Sequence, residues 1–165
     1  MATPKPDDTA WHITVQRRAG AEKCPSAMTF RRWARSVLFR RVASAEVTFR
    51  LVTPEEMAAL NQQWRHKNYP TNVLSFPLSA PEDPSLTGDI IICAAVVREE
   101  AATQQKPLRA HWAHMVVHGL LHLLGYDHEQ EADADRMEAL EIQILAALGF
   151  SNPYNQGEKN LSCPG

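Results

Sequence analysis

The sequence predicts an α+β fold: a small mixed β-sheet of about four strands, covered by helices, with a metal site on one helix and the turn after it. Three observations lead to this prediction. Short segments alternate apolar and polar residues, as half-buried strands do. Longer segments repeat apolar residues every three or four positions, as amphipathic helices do. One of the longer segments also carries histidines at helical spacing. Strands that alternate with helices in this way form layered sandwiches.

The first part of the chain predicts two strands and two helices. Alternation predicts strands marked by Trp11, Ile13 and Val15 and by Val47, Phe49 and Leu51. Between them, a helix with arginines on its outer face is predicted from Phe30, Trp33, Ala34, Val37 and Leu38. The next helix has Thr53 as N-cap, Pro54 at its first position and Glu56 closing a capping box. Its apolar stripe is predicted to be Met57, Leu60 and Trp64, and its C-terminal end presents Arg65.

The second part of the chain predicts two strands followed by three helices. The strands cover residues 73–78 and 90–93 and are joined by an acidic, proline-rich loop at 79–88. The helices cover 94–105, 108–124 and 129–148, and Gly149 is placed as a C-terminal cap. The inner face of the last helix is predicted from Met137, Leu140, Ile144 and Leu148. Residues 11–150 are therefore predicted to form one domain, with flexible tails at 1–10 and 151–165.

Composition limits the classes of protein to which the chain can belong. It has 165 residues, 44% of them hydrophobic, and no stretch near the ~20 apolar residues of a membrane span. Three widely spaced cysteines and an N-terminus unlike a signal peptide predict reduced thiols in the cytoplasm. The net charge of −2 lacks the global basic field of most nucleic-acid binders. Positive charge is instead local, in Arg31, Arg32, Arg35, Arg40 and Arg41 and in Arg65, His66 and Lys67.

The strongest functional signal is a set of three histidines. His118 and His122 are four residues apart in a predicted helix, so both imidazoles lie on one face. Gly125 allows a sharp turn, after which His128 supplies a third nitrogen. Three protein ligands and an open position are typical of a catalytic zinc site, and we expect one Zn²⁺ per chain. Ligand type alone does not separate zinc from nickel.

The residue after the first histidine decides which chemistry this motif supports. Zinc peptidases with the same spacing carry a glutamate there as general base, whereas this chain carries Gly119. A glycine accepts no proton from water, which favours phosphodiester cleavage by a metal and a cation over peptide hydrolysis. Glycine in mid-helix costs ~1 kcal/mol relative to alanine. Close approach of substrate and tight packing both account for that cost.

Three sequence blocks resemble the YbeY family of bacterial rRNA maturation endoribonucleases. They are residues 110–128 around the histidines, residues 64–65 with 70–77, and residues 88–93, and the resemblance spans about 45–150. It implies a single-strand-specific, metal-dependent endoribonuclease that processes the 3′ end of 16S rRNA and acts in ribosome quality control. It also implies rRNA and the ribosome or its proteins as partners, and Arg65 as a catalytic residue. Many members have aspartate where this chain has Asn72.

Alternatives to a nuclease follow from the same residues. One is a metallopeptidase that takes its base from elsewhere, for example Asp127, and another is a non-catalytic ribosome-associated module with a structural metal. Asp127 also suits helix capping, or orienting a ligand imidazole. His111 and His114 extend the histidine face toward the N-terminus. They could support a metal ligand, contact RNA or simply lie on the surface, and the surface role is favoured. The oligomeric state is left open.

Overall fold

A computed structural model of the chain describes residues 11–17, 23–67, 69–80, 82–126 and 130–154. The expected tail at 1–10 lies outside these residues, as do residues 155–165 of the tail expected at 151–165 and the site candidates Asp127 and His128. The four strands are β1 (Trp11–Arg17), β2 (Ser44–Val52), β3 (Val73–Pro77) and β4 (Ser85–Cys93). The five helices are α1 (Ala27–Leu38), α2 (Pro54–Arg65), α3 (Ala94–Thr103), α4 (Leu108–Leu123) and α5 (Glu131–Ala147).

The strands form one mixed sheet in the order β1-β2-β4-β3. Strand β1 pairs with β2 in parallel, with Trp11 opposite Ala45, and β2 pairs with β4 in parallel, with Ser44 opposite Ser85. Strand β3 is antiparallel to β4, with Val73 opposite Ile92. The prediction of an α+β fold with a mixed sheet of about four strands is confirmed.

The sheet separates two apolar cores because successive strand residues point to opposite faces. In β4, Ile90 and Ile92 belong to the larger core, which α1, α4 and α5 cover. Ile91 and Cys93 belong to the smaller core, where Met57 of α2 packs. Helix α4 lies within the larger core and contacts α1, α3, α5 and the edge of the sheet formed by β3 and β4.

Strand β4 begins earlier than predicted, at Ser85 rather than at residue 90. Its first residues read as loop because they include Gly88 and Asp89, which are uncommon in strands. Pairing with β2 on one side and β3 on the other overrides that preference. Glycine is also required, since a Cβ atom at Gly88 would lie 2.7 Å from Leu123 Cδ2 and 2.8 Å from the Phe76 carbonyl oxygen.

The helix ends follow the predicted capping residues. The backbone N–H of Glu56 donates to Thr53 Oγ1 at 3.2 Å, and Pro54 occupies the first position of α2. Gly149 follows α5 with φ +93°, and the N–H of Phe150 donates to the Leu145 carbonyl at 2.8 Å. These contacts confirm both caps.

The predicted apolar stripe of α2 is wrong at Trp64. Met57 is fully buried, but Trp64 is 59% exposed because the end of α2 extends to the edge of the sheet. Its ring packs on Phe76 of β3 with centroids 5.8 Å apart. In the part of the chain that the structure describes, no helix has the length and apolar character needed to cross a membrane.

Candidate metal centre

Four histidines form a continuous row along helix α4. Neighbouring ring centroids are 6.1 Å apart from His111 to His114, 6.1 Å from His114 to His118 and 4.5 Å from His118 to His122. Spacings of three, four and four residues keep them on one side of the helix. The row therefore arises directly from helical periodicity, and its members differ in what each ring contacts.

His118 and His122 form the part of the row suited to a metal ion. Their Nε2 atoms are 3.0 Å apart, and both side chains are only partly buried. Two nitrogens that each coordinate zinc at about 2.0–2.1 Å in tetrahedral geometry lie at a comparable separation. The donor set therefore fits a transition-metal ion.

Gly125 follows the end of helix α4 and turns the chain. Its φ is +101°, a conformation that L side chains rarely adopt. The N–H of Gly125 donates to the His122 carbonyl and that of Tyr126 to the Leu121 carbonyl, each at 3.0 Å. This pattern is a Schellman motif, as predicted for a sharp turn after the second histidine.

Gly119 faces the sheet, on the side of α4 that packs against β3 and β4. A Cβ atom there would lie 2.9 Å from Cγ2 of Ile90, which is fully buried. Ser75 of β3 donates to the Gly119 carbonyl at 2.9 Å. Tight packing therefore accounts for the glycine, and a glutamate at this position would collide with Ile90 rather than reach a metal-bound water.

Glu141 of α5 is a site residue that the sequence reading missed. It is 1% exposed, and its Oε1 accepts a hydrogen bond from His118 Nδ1 at 3.0 Å. Its Oε2 accepts from His114 Nε2 at 2.6 Å and from the hydroxyl of Tyr154 at 2.7 Å. An available signal was that Glu141 lies four residues after Met137, on the face of α5 predicted to be apolar. An acid at such a position needs a buried partner.

The electrostatics of this cluster keep Glu141 ionised. Burial alone would raise its pKa, but the hydrogen bonds from His114 and His118 and the charge of these imidazoles prevail and lower it to about 2. Burial lowers the pKa of His114 from its ordinary value, although the hydrogen bond to the Glu141 carboxylate opposes this shift. Burial and the neighbouring Glu141 carboxylate both raise the pKa of Tyr154, which therefore stays a hydroxyl donor.

The prediction that His111 and His114 are surface groups is wrong. They are 2% and 8% exposed, because the N-terminal half of α4 is enclosed by neighbouring segments. His111 Nε2 lies 2.9 Å from Oε1 of Glu100 on α3. Asn72 Nδ2 donates to both oxygens of Glu100, at 3.1 and 3.3 Å. An aspartate at position 72 has no such donor, so Asn72 has a role here that a carboxylate cannot perform.

A second group of ligand atoms overlaps the first. His114, His118 and Glu141 place one ligand atom each within 4.8 Å of one another, and such a His–His–Glu group could bind a metal ion. It shares His118 with the His118–His122 pair and adds Glu141 from α5. The described residues thus present two overlapping arrangements for a metal ion.

Arg65 lies at the last position of α2 and is exposed. Its neighbour Trp64 rests on Phe76, whose side chain belongs to the smaller core, on the face of the sheet opposite α4. Within the described residues, the structure brings His118 and His122 together and shows no contact between Arg65 and that pair. Edge strand β3 separates them, since Ser75 of β3 faces α4.

Comparison with known proteins gives consistent results. A family profile described as Endoribonuclease YbeY matches residues 16–149. A protein named Endoribonuclease YbeY from Pseudomonas fluorescens is 52% identical over 145 residues, covering 86% of this chain and 95% of its own. A protein of the same name from Methylococcus capsulatus is 53% identical over 146 residues, covering 87% and 95%.

A solved structure supports the fold. The solution structure of TM1509 from Thermotoga maritima aligns with a TM-score of 0.56 and 24% identity, covering 87% of this chain and 98% of its own. At this identity the likeness concerns the fold alone. The fold, the histidine motif and the relatives that match over most of their length together show that this chain belongs to the YbeY endoribonuclease family.

Proposed function

We propose that the chain is a metal-dependent endoribonuclease that acts on rRNA, with His118, His122 and His128 as ligands of one zinc ion. The observation that carries this proposal is the 3.0 Å approach of the two Nε2 atoms on α4, beside a Gly119 that packs on the sheet. Membership of the YbeY family supports the nuclease activity. His128 enters from the sequence motif, since it lies outside the described residues.

The side chains of this chain divide the work of phosphodiester cleavage. A bound divalent metal supplies Lewis-acid polarisation of a phosphate oxygen and activation of water. His118 and His122 would hold it through Nε2, and their partly exposed rings leave that side of α4 accessible to substrate. Gly119 provides no general base. Cleavage of an anionic phosphodiester instead depends on positive charge that stabilises the transition state.

Arg65 is proposed as the cation that stabilises the developing charge. A guanidinium gives a fixed two-pronged donor set to phosphate and stays protonated at every working pH. Arg65, His66 and Lys67 are all exposed at the end of α2. RNA that crosses the edge of the sheet at β3 would contact the basic segment on one face of the sheet and the histidine pair on the other face.

The finer assignments also belong to this proposal. They comprise single-strand specificity, processing at the 3′ end of 16S rRNA, a role in ribosome quality control, contact with the ribosome or its proteins, and a cytoplasmic location.

We further propose that residues 11–150 form one domain, which the family match over 16–149 supports. A peptidase is disfavoured because Gly119 stands where zinc peptidases carry their glutamate base. Gly119 packs so closely on Ile90 that a glutamate side chain would not fit there.

The test compares two substrates. Zinc-loaded protein is incubated with single-stranded rRNA fragments and, separately, with casein, alongside folded His118→Ala. We expect RNA cleavage by the wild type alone, and no casein cleavage by either protein, because loss of a general base costs roughly 10²–10⁴-fold. Proteolysis by the wild type with RNA left intact would overturn the proposal.

A further inference from the structure

Both oxygens of the Glu141 carboxylate are bonded within the described residues. Oε1 faces His118 Nδ1, and Oε2 lies between His114 Nε2 and the Tyr154 hydroxyl. Since a carboxylate only accepts, His118 must donate through Nδ1–H, which leaves the lone pair of its Nε2 directed at His122. The carboxylate thereby selects the tautomer that a metal ligand at Nε2 requires.

Tyr154 reaches this carboxylate from beyond the region of the family match, which ends at residue 149. After Gly149 turns the chain, Phe150 packs on Trp33 with ring centroids 5.9 Å apart. The backbone N–H of Tyr154 then donates to Asn152 Oδ1 at 2.8 Å. These contacts hold a segment that the sequence predicted as the start of a flexible tail. They place the Tyr154 ring 5.3 Å from the His114 ring.

We propose that Glu141 is a positioning residue for the metal ligand His118, and that Tyr154 positions Glu141 in turn. The C-terminal segment at 150–154 thus contributes to metal affinity without touching the metal. This inference rests on the proposed assignment of His118 and His122 as ligands through Nε2.

The competing role for Glu141 is direct coordination together with His114 and His118. The observed distances favour hydrogen bonding, because 2.6 Å from His114 Nε2 to Oε2 is a short charge-assisted bond. The Tyr154 hydroxyl donates to the same oxygen, which occupies it further. The other carboxylate oxygen, Oε1, is bonded to Nδ1 of His118 at 3.0 Å.

The test measures zinc binding without RNA. Zinc affinity is determined by competition with a chromophoric chelator for the wild type and for Glu141→Gln and Tyr154→Phe. Matched controls are Glu99→Gln and Tyr69→Phe, at exposed positions. In the zinc-loaded proteins, the ¹H shift of the His118 Nδ1–H proton reports its hydrogen bond to the carboxylate. Circular dichroism and thermal melting establish that each variant is folded.

We expect Glu141→Gln to raise the zinc Kd roughly 10–100-fold, as loss of a partner that orients a ligand does. Tyr154→Phe should raise it less, roughly two- to fivefold, because the carboxylate keeps its other hydrogen bonds. The His118 Nδ1–H signal should move upfield in Glu141→Gln, and both controls should match the wild type.

Wild-type affinity and an unmoved Nδ1–H signal in folded Glu141→Gln would overturn the inference. If Glu141→Gln does not fold, the same result in Tyr154→Phe overturns it. His122→Ala separates this failure from failure of the ligand assignment. If His122→Ala binds zinc as the wild type does, the assignment is wrong and the positioning role falls with it. If His122→Ala loses zinc while Glu141→Gln keeps it, the positioning role alone is wrong.

Discussion

The two halves of helix α4 carry the same residue type on the same face but put it to different uses. In the N-terminal half, His111 and His114 are 2% and 8% exposed, and each places Nε2 against a carboxylate. In the C-terminal half, His118 and His122 are partly exposed and direct their Nε2 atoms at each other. The second pair, whose Nε2 atoms face each other, is the one proposed to hold the metal.

This difference shows that the partner of a histidine, rather than its spacing, decides its role. Helical periodicity places all four rings in one row, and it treats them as equivalent. A ring whose Nε2 is bonded to a buried carboxylate must break that bond before it can coordinate a metal. The Nε2 atoms of His118 and His122 instead lie 3.0 Å from each other. Substitutions in each half of α4 test this division.

Loss of a ligand should separate the two halves most clearly. His122→Ala should lower the rate of RNA cleavage by roughly 10³-fold or more, since the charge that stabilises the transition state is lost with the metal. His111→Gln, in its folded fraction, should cleave within a few-fold of the wild type. The measurement is single-turnover cleavage of a labelled RNA at equal concentrations of folded protein. Equal losses in both variants would contradict the division.

Arg65 tests whether the edge strand β3 joins two parts of one site. Arg65→Ala should slow cleavage roughly 10²-fold, because it would remove the charge proposed to stabilise the transition state. Its free energy of unfolding should change by less than about 1 kcal/mol, as is usual for exposed positions. Arg32→Ala, an exposed arginine on α1, is the control and should leave the cleavage rate unchanged. A variant that is strongly destabilised yet cleaves normally would reverse the assignment.

Gly119 lies where helix α4 meets the sheet, against Ile90 and Ser75. Gly119→Ala gains about 1 kcal/mol in helix propensity. The new methyl group, however, would lie 2.9 Å from Cγ2 of the buried Ile90. Overpacking of this kind typically costs 1–3 kcal/mol, so we expect a net loss of about 1 kcal/mol in the free energy of unfolding. Urea denaturation measures it, and a more stable variant would show that the packing is looser than described.

The smallest expected effect concerns the structural half of the row at low pH. Burial raises the pKa of Glu100, but hydrogen bonds from His111 and Asn72 prevail and lower it from its ordinary value of 4.5. A carboxyl group whose folded pKa is depressed stabilises the fold above its unfolded pKa, and this stabilisation is lost as the pH falls below it. Wild-type stability should therefore decline below about pH 4.5 more steeply than that of Glu100→Gln. If the stability of the wild type and that of Glu100→Gln decline equally in acid denaturation curves, the Glu100 carboxylate does not stabilise the fold in this way.

Local patterns in the sequence accounted for most of the fold. Alternation and helical spacing placed the four strands and five helices, and capping residues such as Thr53 and Gly149 marked helix ends within a few positions. The start of β4 was missed because Gly88 is uncommon in strands and is required here by the approach of Leu123. Close approach between distant segments leaves no periodic signal.

The site was predictable only where it is local. His118 and His122 are neighbours on one helix, so spacing brought them together. Glu141 and Tyr154 are 23 and 36 residues from His118 in the chain, and only the packing of α5 on α4 brings them to it. Burial of His111 and His114 likewise depends on tertiary neighbours. Glu141 still had a signal, as an acid on an otherwise apolar helix face.

The central claim is that the C-terminal half of the histidine row holds the metal, and anomalous diffraction at the zinc edge from crystals of zinc-loaded protein tests it most directly. We predict one anomalous peak per chain at about 2.0–2.1 Å from Nε2 of both His118 and His122. Glu141 should remain hydrogen-bonded to His118 Nδ1. A peak on the Glu141 carboxylate, between His114 and His118, would contradict the claim.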